Sequence, residues 1–223
     1  QADCFVARLA KGMAIGTSPC FAHSILESRC RSPVEFFNRL LKEQVVEFSI
    51  KSGNPEKQHS ACVVVGVFEP RKLTDAAAAL DKLAKGYIRD ILRHGDMDGK
   101  AGSTLLLHNV PNTLCQRVLL VGLGKEREFH DKEYRDVVRA AFKVLHQTGT
   151  PDVALFLTET PMKKRDSAWK ISQAVIVAME SIYRFDRLKS KPEENKRHLR
   201  KVILGTTGRA GLAAGEEAMN QGL

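Results

Sequence analysis

Ala61-Cys-Val-Val-Val-Gly-Val-Phe68 is the stretch whose reading decides the fold. It is short, it is dominated by β-branched Val, and it never alternates with polar residues. A run of that kind reads as a strand buried on both faces, which needs cover on two sides. The flanking sequence supplies the cover. Lys51 to Ser60 is a polar loop carrying Gly53, Asn54 and Pro55. Beyond it, Pro70 to His94 reads as a helix with Thr74 as N-cap, Asp75 in the first turn and Gly95 as the stop. Leu80, Leu83, Ala84, Tyr87, Ile88, Ile91 and Leu92 recur at helical spacing and predict one apolar face.

Working outward, Val46-Glu-Phe-Ser-Ile50 alternates and suits a half-buried strand. Ser103 to His108 and Arg117 to Leu123 are apolar runs separated by Pro111 and Asn112, the pattern of a hairpin. Asp131 to Gln147 is a strong amphipathic helix with Tyr134, Val137, Val138, Ala141, Val144 and Leu145 on one side. Asp152 to Thr158 is the next strand, Ser167 to Phe185 the next helix, and Arg200 to Leu204 a last strand, with a helix beginning near Ala210. Strands alternating with helices predict an α/β domain, and the hairpin makes its sheet mixed rather than purely parallel. The expected sheet has about five or six strands with helices on both faces. The strongest helices are placed at 74–94, 131–147 and 167–185.

Composition is that of an ordinary globular chain: 223 residues, 43% hydrophobic and 27% charged. A membrane-spanning helix needs roughly 20 apolar residues, and the run 61–68 falls far short. Five cysteines without a C-x-x-C exclude a zinc knuckle and a thioredoxin-type motif. Cys62 and Cys115 lie in strand-like runs and read as buried thiols of a reducing cytoplasm. Met13 to Ala22 lacks the continuous apolar stretch of a signal peptide.

Chemistry-bearing motifs are few. Gly122-Leu-Gly124-Lys125 sits between a strand and a helix, where glycines let a backbone approach a phosphate. Neither the full G-x-G-x-x-G nor a P-loop is present, and a tight turn is the plainer reading. The seven histidines form no H-E-x-x-H and no metal-binding helical pair. Asp96 and Asp98 between Gly95 and Gly99 lack the spacing of a calcium loop. The most informative local feature is basic. Arg184, Arg187, Lys189, Lys191, Lys196, Arg197, Arg200 and Lys201 stand against Asp186, Glu193 and Glu194, a local excess of +5 within a net charge of +9. Lys163, Lys164 and Arg165 form a second group before the same helix. Such patches suit a phosphate backbone; they also suit a solvated linker.

The chain resembles the N-terminal domain of bacterial leucyl aminopeptidase, in the cytosol aminopeptidase family. The resemblance rests on Glu47-Phe-Ser-Ile-Lys-Ser-Gly53, Glu56-Lys57, Val65-Gly-Val-Phe-Glu-Pro-Arg71, Thr104-Leu-Leu-Leu-His108, Val118-Leu-Leu-Val-Gly122, Gly124-Lys-Glu-Arg127, Phe156-Leu-Thr-Glu159 and Trp169-Lys170. Gly215-Glu216 and Gln221-Gly222 look like the start of the helix leading to the catalytic domain. The resemblance implies a macro-domain-like fold, a mixed sheet flanked by helices, in a cytoplasmic enzyme that removes N-terminal residues from peptides. It also implies hexameric assembly and, for the enterobacterial type, contact with double-stranded DNA. No membrane partner is expected.

The family's D-S-G-G and N-T-D-A-E-G-R strings, which carry its catalytic groups and two divalent ions (Zn or Mn), do not occur here. No catalytic or metal-ligating residue is therefore assigned, and no cofactor is expected in this chain. Its expected partners are its own catalytic domain, further copies, and DNA met through the eleven basic residues named above. The expected division is 1–45 as an extension without family counterpart, 46–205 as the domain, and 206–223 as the start of a linker helix. Family members begin with Met where Val46 stands, so the extension is read as upstream sequence. A macro-like nucleotide or ADP-ribose binder using Gly122 to Lys125 is the competing expectation.

Overall fold

Strand β2 (Cys62–Glu69) is the middle of the molecule, and its side chains divide between two cores. Cys62, Val64 and Phe68 face one side; Val63, Val65 and Val67 face the other, and all six are 2% exposed or less. The computed structural model describes residues 46–162, 165–186, 199–206 and 215–220, all within the compact unit Val45–Leu223. Around β2 lie β1 (Glu47–Ser52), β3 (Lys72–Leu73), β4 (Thr104–His108), β5 (Arg117–Lys125), β6 (Asp152–Leu155) and β7 (Lys201–Thr206). The sheet order is β1-β7-β6-β2-β5-β4, with β3 added beside β2. Every pair from β1 to β5 is parallel, whereas β4 runs antiparallel to β5 as the hairpin pattern predicts. The sheet is mixed, with seven strands including the two-residue β3.

Helices cover both faces. Helices α1 (Asp75–Leu83) and α2 (Tyr87–His94) bury Ala76, Ala77, Leu80, Ile88 and Leu92 against the Val63 face. Helices α3 (Asp131–Thr148) and α4 (Ser167–Asp186) bury Tyr134, Val138, Phe142, Ile171 and Val175 against the Cys62 face. Thr74 caps α1, its hydroxyl accepting from Ala77 N–H at 3.4 Å. Glu133 accepts from His130 N–H at 3.2 Å and closes the first turn of α3. Residues 215–220 are also helical. The helix start expected near Ala210 lies outside the described residues.

Three expectations need correction. The single helix 74–94 is two helices. Gly86 takes φ 89° and its N–H donates back to Asp81 O, so α1 ends in a left-handed turn. The buried Asp81 carboxylate then accepts Arg89 N–H at 3.0 Å, which starts α2 in a new direction. Tyr87, expected on the apolar face, is consequently 38% exposed. The strand 152–158 stops at Leu155 because Phe156 leaves the extended region (ψ 11°) and a 3-10 turn follows at Leu157–Glu159. The strand 117–123 runs on to Lys125.

Two glycines mark close approaches, one to a ring and one to a backbone. A Cβ on Gly205 would lie 2.5 Å from the Phe156 ring, and one on Gly122 would lie 2.1 Å from the backbone oxygen of Lys100. Rings shift more readily than a loop whose carbonyls are already bonded. Gly205→Ala is expected to cost about 1–3 kcal/mol, the usual penalty of overpacking, and Gly122→Ala more than that. Urea denaturation of the two variants checks the order; equal costs would mean that loop 99–103 is free to move.

Candidate functional site

In an open α/β sheet the carboxyl ends of the parallel strands are where ligands settle, so the ends of β2, β5, β6 and β7 come first. At β5, Gly122 N–H donates to Ser103 O at 2.7 Å and Gly124 N–H to Gly99 O at 2.8 Å. Gly99 takes φ 87°, and a Cβ there would lie 2.7 Å from Phe68 O, so the 99–103 loop is laid directly on β2 and β5. Both glycine amides of the Gly122–Lys125 motif are spent inside the protein. The motif is a close-packed turn whose glycines make room for backbone contact. A small crevice of about 300 Å³ remains beside it, lined by Glu69, Glu128 and Glu133 with one cation, Lys125. Lys125 pairs with Glu128 at 3.2 Å.

The end of β6 holds a polar cluster that the sequence reading did not single out. Lys170 is 6% exposed and its ammonium donates to Thr160 O at 2.9 Å. One Glu159 carboxylate oxygen and the Thr160 hydroxyl are buried beside it without a hydrogen-bond partner. Burial lifts the Glu159 carboxyl above its ordinary range, although the Lys170 charge opposes this. Burial likewise lowers the Lys170 ammonium, with Asp166 and Glu159 opposing. Tyr134 OH donates to Lys170 O at 2.9 Å, and the ring stands in a tilted pair with Trp169 at 5.9 Å. The signal in the sequence was a Lys at an inward-facing helix position, between Trp169 and Ile171.

The eleven predicted DNA-contact residues are only partly within the described residues. Lys163, Lys164, Arg187, Lys189, Lys191, Lys196 and Arg197 lie outside them, and Arg184 belongs to α4. Arg165 is engaged elsewhere: its guanidinium holds Asp131 at 2.5 Å and lies 4.7 Å over the Trp169 ring. The pairing draws the Asp131 carboxyl below its usual range. Lys201 pairs with Glu47 at 3.2 Å across β1 and β7. Arg200 is exposed.

Arg200 stands at the opposite, amino-terminal edge of the parallel strands. An open cleft of about 630 Å³ lies on that edge, lined by His59, Leu114, Gln116, Arg117, Gln147 and Thr150 among others. Arg117 donates there to Thr148 O at 3.3 Å and to Thr150 Oγ1 at 3.4 Å, tying β5 to the end of α3. His108, exposed, is opposite Arg117 in the β4–β5 ladder. Among the described residues no three His, Cys, Asp or Glu side chains come together as metal ligands. No step through the two divalent ions implied by the resemblance is therefore derived from this chain. Cys62 and Cys115 are free and buried, as expected, and they belong to opposite cores. Burial pushes the Cys62 thiol up to about 12. No helix among the described residues is long and apolar enough to cross a membrane.

These features define a macro-like α/β domain in which the 99–103 loop covers the end of β5. The chain belongs to the cytosol aminopeptidase family: a model of that family's N-terminal domain matches residues 64–192. A probable cytosol aminopeptidase of Dechloromonas aromatica is 58% identical over 178 residues, 80% of this chain and 36% of that protein. Another, of Nitrosospira multiformis, is 59% identical over 181 residues, 80% of this chain and 35% of that protein. The chain thus spans about a third of the length of these curated relatives. Among solved structures, tomato leucine aminopeptidase (a K354E mutant) superposes with TM-score 0.61 at 16% identity, over 78% of this chain and 35% of that one. The GDAP2 macro domain gives 0.58 at 10% identity, over 82% and 87%. A Trypanosoma brucei macrodomain in complex with ADP gives 0.57 at 12%, over 77% and 68%. These likenesses establish the fold.

The Glu159 cluster generates a pH prediction. A carboxyl whose folded pKa exceeds its unfolded value, near 4.3, loses stability as pH rises through that interval. Glu159→Gln is therefore expected to melt above the parent at pH 7, the gap closing toward about pH 4 where both side chains are neutral. Thermal melts at the two pH values check it, and a pH-independent gap would reject the assignment.

Proposed function

We propose that this chain is the non-catalytic N-terminal domain of a cytoplasmic leucyl aminopeptidase, in which it supports assembly and contacts DNA. The parent removes N-terminal residues from peptides, and its two divalent ions (Zn or Mn) and catalytic groups are assigned to the rest of the enzyme. The carrying observation is the covered end of β5. With the Gly122 and Gly124 amides bonded to Ser103 O and Gly99 O, the domain presents structure there rather than chemistry. The assembly partners are the catalytic domain and further copies, in the hexamer that the family resemblance implies.

The DNA half of the proposal rests on charge. The sequence carries an excess of +5 between Arg184 and Lys201, and of the described residues Arg200 is exposed and Arg117 lines an open cleft. Contacts from such residues go mainly to phosphates and position the protein without reading sequence. Arg165 is the weakest of the proposed contacts, because reaching a phosphate would break its pair with Asp131. The competing reading, a macro-like binder of nucleotide or ADP-ribose, is favoured by the fold likeness and opposed by the glycine geometry. Calorimetry with ADP-ribose separates the two, and micromolar binding would promote the second.

The chain alone is expected not to hydrolyse a leucine-derived amide, with or without Mn²⁺ or Zn²⁺. A full-length enzyme with Lys189, Lys191, Lys196 and Arg197 changed to Ala is expected to bind duplex DNA more weakly in a gel shift. Its log–log salt slope should fall by up to about 0.9 for each phosphate contact removed. Unchanged affinity together with an unchanged slope would assign the cluster to solubility.

A further inference from the structure

We infer that the outer edge of β4 is a pairing surface for a second copy of this chain, joined antiparallel about a two-fold axis through Leu106. The inference rests on the proposed assembly role and gives it a surface. Its first support is ladder parity. Gly122 N–H donates to Ser103 O at 2.7 Å and Asn109 N–H to Gln116 O at 3.1 Å, so 103 and 109 are hydrogen-bonded positions opposite β5. Bonded and non-bonded positions alternate along an antiparallel pair. Residues 105 and 107 therefore spend their backbone groups on β5. Thr104, Leu106 and His108 direct theirs outward, and among the described residues no strand pairs with that side.

The second support is the composition of the edge. Thr104-Leu-Leu-Leu-His108 contains no Pro, no Gly, no Lys and no carboxylate, and its register with β5 has no bulge. These are the devices by which edge strands are kept from pairing. The other edge, β1, carries Glu47 and Lys51, both exposed. Leu105 and Leu106 are only partly buried, one against each core, so a strand laid beside β4 would cover apolar surface on both faces.

The third support selects the partner. A two-fold axis at Leu106 sets 104 against 108 and 106 against itself, so each outward backbone position meets another outward position. That gives about six inter-strand hydrogen bonds. Continuing the register sets Lys100 against Asn112 and Ser103 against Asn109, with no like charges opposed. For a chain carrying +9 this matters, because an isologous contact otherwise doubles its own charge. The sheet would then run unbroken through both copies, and the short edge places the pair among weak complexes, with Kd on the order of 10–100 µM.

Hydrogen exchange on the full chain tests this as concentration rises from about 1 to several hundred µM, across the expected Kd. The expected result is slowing at the Thr104, Leu106 and His108 amides by about three- to ninefold, the range set by the remaining monomer fraction, with Leu105 and Leu107 unchanged and the sedimentation mass rising from 24.8 kDa toward twice that. Thr104→Lys, a surface change at the start of the strand, is expected to weaken the pair at least tenfold. A chain that stays single throughout, or that dimerises while those three amides keep their single-copy rates, overturns the inference. In the full-length enzyme, assembly without protection at 104, 106 and 108 rejects this surface and leaves the assembly role standing. A monomeric full-length enzyme rejects both.

Discussion

Strand β2 has no face on which to leave a polar group. It is hydrogen-bonded to β6 on one side and to β5 on the other, and Val63, Val64, Val65 and Val67 are all fully buried. That constraint propagates. Each face needs a helical layer, so α1 and α2 take the Val63 side and α3 and α4 the Cys62 side. Gly66 takes part by having no side chain. Leu123 from β5 fills the space above it, and a Cβ there would lie 2.6 Å from the Leu123 methyl. The register shift between Val67 and Phe68 opposite β5 lets Leu123 turn into that space. From Phe68 a chain of edge-to-face rings then runs outward through Phe129 to Tyr134, with centroids 5.7 and 6.3 Å apart, each pair worth about 0.5–1.5 kcal/mol.

What the sequence showed and what it hid follow from the range of the interactions involved. The buried strand 61–68, the hairpin and the helices from Asp131 and Ser167 are legible because hydrophobic period and caps are local signals. The break in 74–94 was also written locally, in Lys85-Gly86, but the apolar period continues across it and outweighed the glycine. It takes the Asp81 carboxylate, reaching eight residues on to Arg89 N–H, to make a turn there rather than a flaw in one helix. The early end of β6 was not legible. It depends on Gly205, fifty residues away, admitting the Phe156 ring, and on Thr158 OH donating to Gly205 O. The candidate sites divide in the same way. Charge clusters can be counted from sequence, whereas the Lys170–Thr160 contact and the capture of Arg165 by Asp131 join a helix or its approach to a different element, which residue counts do not show.

The likeness to macrodomains raises the question of what such a fold retains when a loop of its own covers the end of a central strand. A glycine-rich strand end can serve a phosphate because its amides are free and no Cβ stands in the way. In this chain the second condition is met and the first is not. The 99–103 loop uses the clearance that Gly122 and Gly124 provide, and its carbonyls take the amides. A protein loop in that position does for the strand ends what a bound anion would do elsewhere: it satisfies the donors and excludes water. The same glycines are thus compatible with two opposite outcomes, and only the partner of the amide decides between them. Fold likeness carries the geometry and leaves the function to the site.

With the end of β5 covered by the 99–103 loop, the larger cleft lies at the other end. The amino-terminal edge has the larger cleft, the exposed Arg200 and His108, and Arg117 as a part-buried cation. The last turn of α3 also ends there, and its carbonyls would repel an anion if left bare. Arg117 sits on that turn, donating to Thr148 O, while Gly149 N–H folds back to Leu145 O. The negative end of the helix is therefore covered by a positive side chain and a bonded cap, which removes the obstacle to phosphate at this edge. The edge of β4 meets the amino-terminal edge at His108, opposite Arg117. A second copy paired along β4 by a two-fold axis would carry its own His108 and Arg117 to the far end of the shared strand pair. Two cationic ends would then be separated by the length of β4, a span of about 15 Å at the usual rise per residue. Pairing through an uncharged edge thus brings cationic surfaces together without opposing them, as a chain of this charge requires if it is both to assemble and to meet a polyanion.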